Sequence, residues 1–311
     1  MPLDPRVKRF LDALAAGNPP SALETSVGER RVQLAELMQL AGPLVPVARA
    51  EDRAVPGAAG TLAVRIYTPQ DAAEGLLPGL VYFHGGGFVA GSIDTHDSIA
   101  RGLARAGACR VVSVEYRLAP EHPCPAALED ALAAVRHIAA HAEEFGIDAG
   151  RLGVCGDSAG GTLAAACCQA AARGGAPRLA LLLLICPILD YSRLSASRRD
   201  FARGYLIEQA TLDHDLKYYA PGMDPADPRI SPLRAADLGG LPPTLIHTAE
   251  FDPVRDEALD YFTRLTHAGS AVSYTCHAGM IHLFYGLGAV IPYARTAFEQ
   301  IGVEIREALG S

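Results

Sequence analysis

The sequence predicts an α/β fold, a mostly parallel central sheet flanked by helices. Three observations carry that prediction. Short apolar runs alternate with helix-period stretches from residue 61 to residue 309, and such alternation implies parallel strands joined by crossover helices. The apolar run ending at Phe83 leads straight into His84-Gly85-Gly86-Gly87-Phe88. Further on, Gly156-Asp157-Ser158-Ala159-Gly160-Gly161 fits G-x-S-x-G, a sharp strand-to-helix turn that exposes a serine hydroxyl.

Taken in order, residues 61–67 alternate apolar and polar side chains, as a half-buried strand does. The runs at 77–83, 110–116, 152–155, 179–185 and 243–247 are short, apolar and bounded by Gly, Pro or acidic residues, the pattern of buried parallel strands. Residues 125–145 place Leu128, Ala131, Leu132, Val135 and Ile138 on one helical stripe. The alanine-rich stretch 162–173 packs closely on a sheet, and 256–268 and 291–309 are amphipathic. Two regions break the alternation. Residues 1–45 are helical in pattern with no strand, and 191–238 combine helix-like stretches with a Pro- and Asp-rich loop at 221–232. An insertion at that point sits above the C-terminal strand ends, where open α/β sheets bind ligands. The expected organisation is a helical cap from 1–45 and 191–238 on a catalytic core from 46–190 and 239–311.

Acyl transfer needs a nucleophile, a base, a group that orients the base, and donors for the developing oxyanion. Ser158 supplies the nucleophile, and Gly156 and Gly160 flank it because a Cβ would clash where strand and helix meet. In a fold with this elbow the acid and then the histidine follow the serine. His267 lies inside a helical pattern. His277 ends the strand-like stretch 271–276, and His282 falls in the loop beyond it; both remain candidates for the base, with the loop position favouring His282. Glu250 and Asp252 both follow the strand at 243–247, while Asp256 opens a helix whose dipole already explains it. Asp252 is the preferred acid and Glu250 a loop brace or its rival. The oxyanion donors are expected in the backbone N–H groups of Gly85, Gly86, Gly87 and Ala159, with His84 bracing their loop.

Composition excludes several alternatives. The chain has 311 residues, half of them hydrophobic and a fifth charged, enough for a substantial core. A net charge of −8 advertises no surface for nucleic acid or anionic membrane. The seven cysteines show no C-x-x-C pair or metal-ligand spacing, so no metal is expected, and buried thiols in a reducing compartment are. The N-terminal stretch has no apolar h-region, and the longest apolar run, 179–189, is too short to span a bilayer. A cytoplasmic protein with no stable membrane association is the expectation. Gly85, Gly87 and Ala90 also fit G-x-G-x-x-G/A, but Gly91-Ser92 interrupts the helix start that a dinucleotide site needs, and the elbow is left unexplained. No G-x-x-x-x-G-K-[ST] occurs, so no cofactor is expected.

With these residues in hand, the chain resembles the bacterial esterases of the hormone-sensitive lipase family within the α/β-hydrolase superfamily. The resemblance rests on HGGGF, Tyr116-Arg-Leu-Ala-Pro-Glu-His-Pro123, GDSAGG, Ser231-Pro-Leu, Leu241-Pro-Pro, Asp252-Pro-Val-Arg-Asp256 and Ile281-His282-Leu-Phe284, and spans nearly the whole chain. It implies an α/β-hydrolase core with a helical cap, carboxylesterase activity on short- to medium-chain acyl esters, and a triad of Ser158, Asp252 and His282. It also leaves a homodimer open, although no interface is legible. Leu283 departs from the small residue often found after the histidine and is expected to narrow the pocket. Amide, lactone and thioester hydrolysis use the same machinery, and a catalytically silent ligand-binding relative is the rival from a different class.

Overall fold

The computed structural model describes residues 2–17, 20–70, 72, 74–174 and 177–310. The remaining positions inside the cap and core ranges expected above lie outside the described residues. The chain opens with two helices, α1 (Pro5–Ala16) and α2 (Val27–Met38). Asp4 caps α1 and a Ser26/Glu29 capping box closes the start of α2, each satisfying backbone N–H groups that a helix start leaves unpaired.

One eight-stranded sheet forms the centre. Its strands are β1 (Arg49–Pro56), β2 (Thr61–Thr68), β3 (Leu77–Phe83), β4 (Arg110–Val114), β5 (Ile147–Asp157), β6 (Leu181–Ile185), β7 (Thr244–Phe251) and β8 (Val272–Ile281), in the order β1-β2-β4-β3-β5-β6-β7-β8. β2 pairs antiparallel with β1 and β4, and every later pairing is parallel. Every residue of β3 and β6 is buried, which is why their sequences read as unbroken apolar runs. In register, Val81 of β3 lies between Val112 of β4 and Val154 of β5. β1 has no counterpart in the sequence reading. Only Val55 of its eight residues is buried; it is an edge strand whose charged Glu51, Asp52 and Arg53 hide the alternation.

Helices α3 (Asp97–Gly107), α4 (Ala126–Ala140), α5 (Ala159–Ala172), α6 (Ala196–Asp200), α7 (Gln209–Tyr219), α8 (Arg255–His267) and α9 (Tyr293–Leu309) complete the chain. The helix expected over 125–145 ends at Ala140, and a 3-10 turn covers Ala142–Phe145. α3 and α9 pack against each other through Gly302, where a Cβ would run into the Ala106 carbonyl. α5 is nearly all buried, and its small side chains let it lie close to the sheet.

The segments outside the strand–helix alternation meet each other above the sheet. His214 of α7 bonds the Thr25 carbonyl at 3.0 Å. Arg31 of α2 reaches down to the Val89 and Ala119 carbonyls at 2.8 and 3.1 Å and pairs with Glu121. Among the described residues no helix is long and apolar enough to cross a membrane.

Candidate active site

Ser158 stands between β5 and α5 with φ 52° and ψ −120°, a conformation a non-glycine residue holds only when its surroundings over-determine it. The glycines do that here. A Cβ on Gly160 would overlap the Phe83 carbonyl, and one on Gly156 would overlap the Gly160 carbonyl. Ser158 N–H donates to the Ile185 carbonyl at 2.9 Å, which ties the elbow to the end of β6. The start of α5 directs its positive pole at the same place.

His282 follows β8 and Asp252 follows β7, so both come from loops at the C-terminal edge. His282 Nε2 lies 3.0 Å from Ser158 Oγ, and His282 Nδ1 lies 2.8 Å from Asp252 Oδ2. A carboxylate only accepts. Nδ1 therefore carries the proton and Nε2 presents its lone pair to the serine hydroxyl. Asp252 Oδ1 accepts the Val254 N–H at 2.9 Å, which fixes the carboxylate plane. All three side chains are buried.

The rival residues sit elsewhere. His277 is buried between His247 and Tyr293, bonded to each at 3.2 Å, and burial pushes it down to about 3. His267 is exposed at the end of α8. Glu250 accepts the Gly279 N–H at 2.8 Å and so braces the loop ends. Asp256 accepts the Ser197 N–H at 2.8 Å.

The glycine loop requires one correction. Gly85 does not present a free N–H: it donates to Asp157 Oδ1 at 3.0 Å. Gly86 and Gly87, with φ of 117° and 65°, line the cavity beside Ser158, and with Ala159 they remain the candidates for the oxyanion donors. Asp157 was not singled out by sequence reasoning. It also accepts the Tyr82 hydroxyl at 2.5 Å and faces His96 Nε2 at 3.6 Å. Burial raises its carboxyl, but His96, the Tyr82 hydroxyl and His84 outweigh burial and hold it below its ordinary value. Asp157 thus joins the nucleophile elbow to the glycine loop. The only sequence signal was its place beside Ser158. His84 braces the loop as expected, its Nδ1–H donating to the Gly85 carbonyl at 2.8 Å and its ring stacked on Tyr116. Burial pushes His84 down to about 3, so it is neutral at ordinary pH.

Two cavities flank the serine. The narrower is walled mainly by Ile99, Ile185, Cys186, Leu283 and Tyr285. The wider lies under α2 and α7. Leu283 lines both. Cys186, Asp252 and His282 bring ligand-capable atoms within 4.8 Å of one another. The His282–Asp252 hydrogen bond already occupies two of those three side chains.

A fold of this topology, carrying a serine at the elbow with imidazole and carboxylate in line, defines the α/β-hydrolase class. A family model described as alpha/beta hydrolase fold matches residues 80–286, and the chain belongs to that family. The esterase LipI of Mycobacterium tuberculosis is 37% identical over 99% of this chain and 95% of its own length. An ethyl acetate hydrolase of Pseudomonas putida is 37% identical over 94% of this chain and 95% of its own. The solved structure of ester hydrolase EH1AB1 from the metagenome of Lake Arreo, in complex with a bipyridine phosphonate derivative, superposes with a TM-score of 0.96 at 41% identity, covering 99% of this chain and all of that one. The resemblance to the hormone-sensitive lipase esterases is borne out, and the protein is a carboxylic ester hydrolase.

Proposed function

We propose that Ser158, His282 and Asp252 act as a catalytic triad that hydrolyses short- to medium-chain acyl esters through an acyl-enzyme. The unbroken line from Ser158 Oγ to His282 to Asp252, at 3.0 and 2.8 Å, carries this reading. Ser158 Oγ attacks the ester carbonyl while His282 Nε2 takes its proton. Asp252 holds the imidazole tautomer and stabilises the imidazolium. The tetrahedral oxyanion lies against the N–H groups of Gly86, Gly87 and Ala159, preorganised donors of the kind whose individual loss costs about 10²–10³ in turnover. Collapse expels the alcohol, which takes the proton from His282. Water then enters, gives its proton to His282 and its oxygen to the acyl carbon, and Ser158 is restored.

The narrower, apolar cavity supports a short acyl chain, and Leu283 reduces it further. Residues 1–45 and 191–238 act as the cap over the core formed by 46–190 and 239–311. The pairing of Arg30 on α2 with Asp215 on α7, in the wall of the cavity that also holds Ser158, supports that division. Seven unpaired cysteines support a reducing, cytoplasmic setting.

A p-nitrophenyl ester series of rising chain length, run beside Ser158→Ala with no metal or cofactor added, tests the reading. The expected result is a rate that peaks on short chains and falls by at least about 10⁴-fold in the variant. A preference for long-chain emulsions, or a variant of near wild-type rate, would overturn it.

A further inference from the structure

The roof of the wider cavity holds two charged side chains that the triad does not use. Arg30 of α2 and Asp215 of α7 both line it, together with Ser158 and His282. Asp215 is 3% exposed at its side chain and lies so close to the glycine loop that a Cβ on Gly87 would collide with its Oδ2. Asp215 Oδ1 is engaged by His214 Nδ1 at 3.0 Å. Among the described residues Oδ2 has only Arg30 Nη2, at 3.5 Å, the far limit of a useful hydrogen bond.

Arg30 is equally underserved. Its Nε is buried and, among the described residues, meets no acceptor. The neighbouring Arg31 is fully occupied: it bonds two backbone carbonyls and forms a two-pronged pair with Glu121 at 2.9 and 2.6 Å. Arg31 already fastens α2 to the core, so that task does not fall to Arg30. A buried donor and a buried acceptor left short of partners are costly, and here they lie side by side in the wall of the reaction cavity.

We propose that Arg30 and Asp215 form a hydroxyl-binding subsite, selecting esters that carry a hydroxyl group close to the scissile carbonyl. This rests on the esterase reading above and adds the substrate class to it. A hydroxyl is both donor and acceptor, so it receives an Arg30 N–H while giving its own proton to Asp215 Oδ2. A carboxylate would meet Arg30 but face Asp215 at the same wall, and an alkyl group would leave both unsatisfied. The proximity of Asp215 to Gly87 puts the hydroxyl within a few bonds of the carbonyl whose oxygen the glycine loop receives.

The test compares kcat/KM for ethyl butyrate, 2-hydroxyethyl butyrate, ethyl 3-hydroxybutyrate and monoethyl succinate, on the wild-type enzyme and on Arg30→Met, which keeps the aliphatic stem. The wild type is expected to prefer one of the two hydroxylated esters over ethyl butyrate by on the order of tenfold or more. Which of the two it prefers tells whether the wider cavity receives the alcohol or the acyl part. Arg30→Met is expected to bring that ratio close to one, whatever its absolute rate. Equal wild-type rates on hydroxylated and plain esters would overturn the subsite while leaving the esterase reading in place. Preference for monoethyl succinate would replace the hydroxyl by an anion and overturn it as well. Failure on ethyl butyrate itself would remove the esterase reading and the subsite together, and is recognisable as such.

Discussion

Asp157 shows how much a single side chain beside the nucleophile can organise. Its Oδ1 receives both the Gly85 N–H and the Tyr82 hydroxyl. The orientation of the next two N–H groups, those of Gly86 and Gly87, follows from that anchor. Asp157→Ala would release Gly85, leave the buried Tyr82 hydroxyl without its acceptor and remove the carboxylate that faces His96. Steady-state kinetics on the folded variant are expected to show kcat lowered by about tenfold, less than the loss of a direct oxyanion donor, with KM changed less. An unchanged kcat would mean that the loop holds its shape without this strut. Ser158 itself carries a backbone strain of roughly 1–3 kcal/mol, which the close packing at Gly156 and Gly160 sustains.

At the scale of elements, the site is assembled from the C-terminal ends of β3, β5, β7 and β8, each followed by a loop that supplies one part. A tight backbone joint lies where α5 passes the end of β3, at Gly160. Gly160→Ala places a methyl group into backbone carbonyls that cannot move aside, and is expected to destabilise the fold by about 3 kcal/mol or more. Urea denaturation measures this, and a midpoint equal to wild type would contradict the close-approach account. The same elements show what the sequence could and could not tell. β3 and β6 were legible because both faces are buried, and Ser158, Asp252 and His282 because each follows a recognisable strand in a fixed chain order. β1 was not, since an edge strand with one buried side chain has no pattern to read. α3, which follows the glycine loop, was not picked out either, although its buried stripe of Ile99, Ala100, Leu103 and Ala104 is a helical one. The capture of Gly85 by Asp157, and the meeting of Arg30 with Asp215, are contacts across 72 and 185 residues. No local pattern announces such contacts; they exist only once the sheet order and the roof helices are in place.

For the whole molecule, buried titratable groups set how stability responds to pH. His84 and His277 are pushed down by burial to about 3 from the ordinary 6.5. Between those values the unfolded chain binds the extra protons, so stability is lost as pH falls through that window. Asp157, also held below its ordinary value, acts in the same direction further into acid. Glu257 opposes them. Burial raises its carboxyl from 4.5 to about 7, the nearby Arg198 notwithstanding, so the folded state holds a proton there and stability falls as pH rises through that range. Glu115, raised by burial, and His214, raised by its bond to Asp215, act with Glu257. The two buried imidazoles, displaced further from their ordinary value than Glu257 is, leave a net loss toward acid. Urea midpoints are expected to be lower at pH 5 than at pH 7, with the difference reduced in His277→Gln. A midpoint that is equal or higher at pH 5 would show that the carboxyl dominates.

The central claim is that one serine, held at the elbow and activated through His282 by Asp252, carries the acyl group. The most direct measurement is mass-spectrometric mapping of the adduct after treatment with a fluorophosphonate, with residual esterase activity followed in parallel. One phosphonyl group per chain on Ser158, formed in step with the loss of activity and much more slowly in His282→Ala, is the expected result. Full activity in the labelled protein, or inactivation with the adduct at another residue, would contradict it.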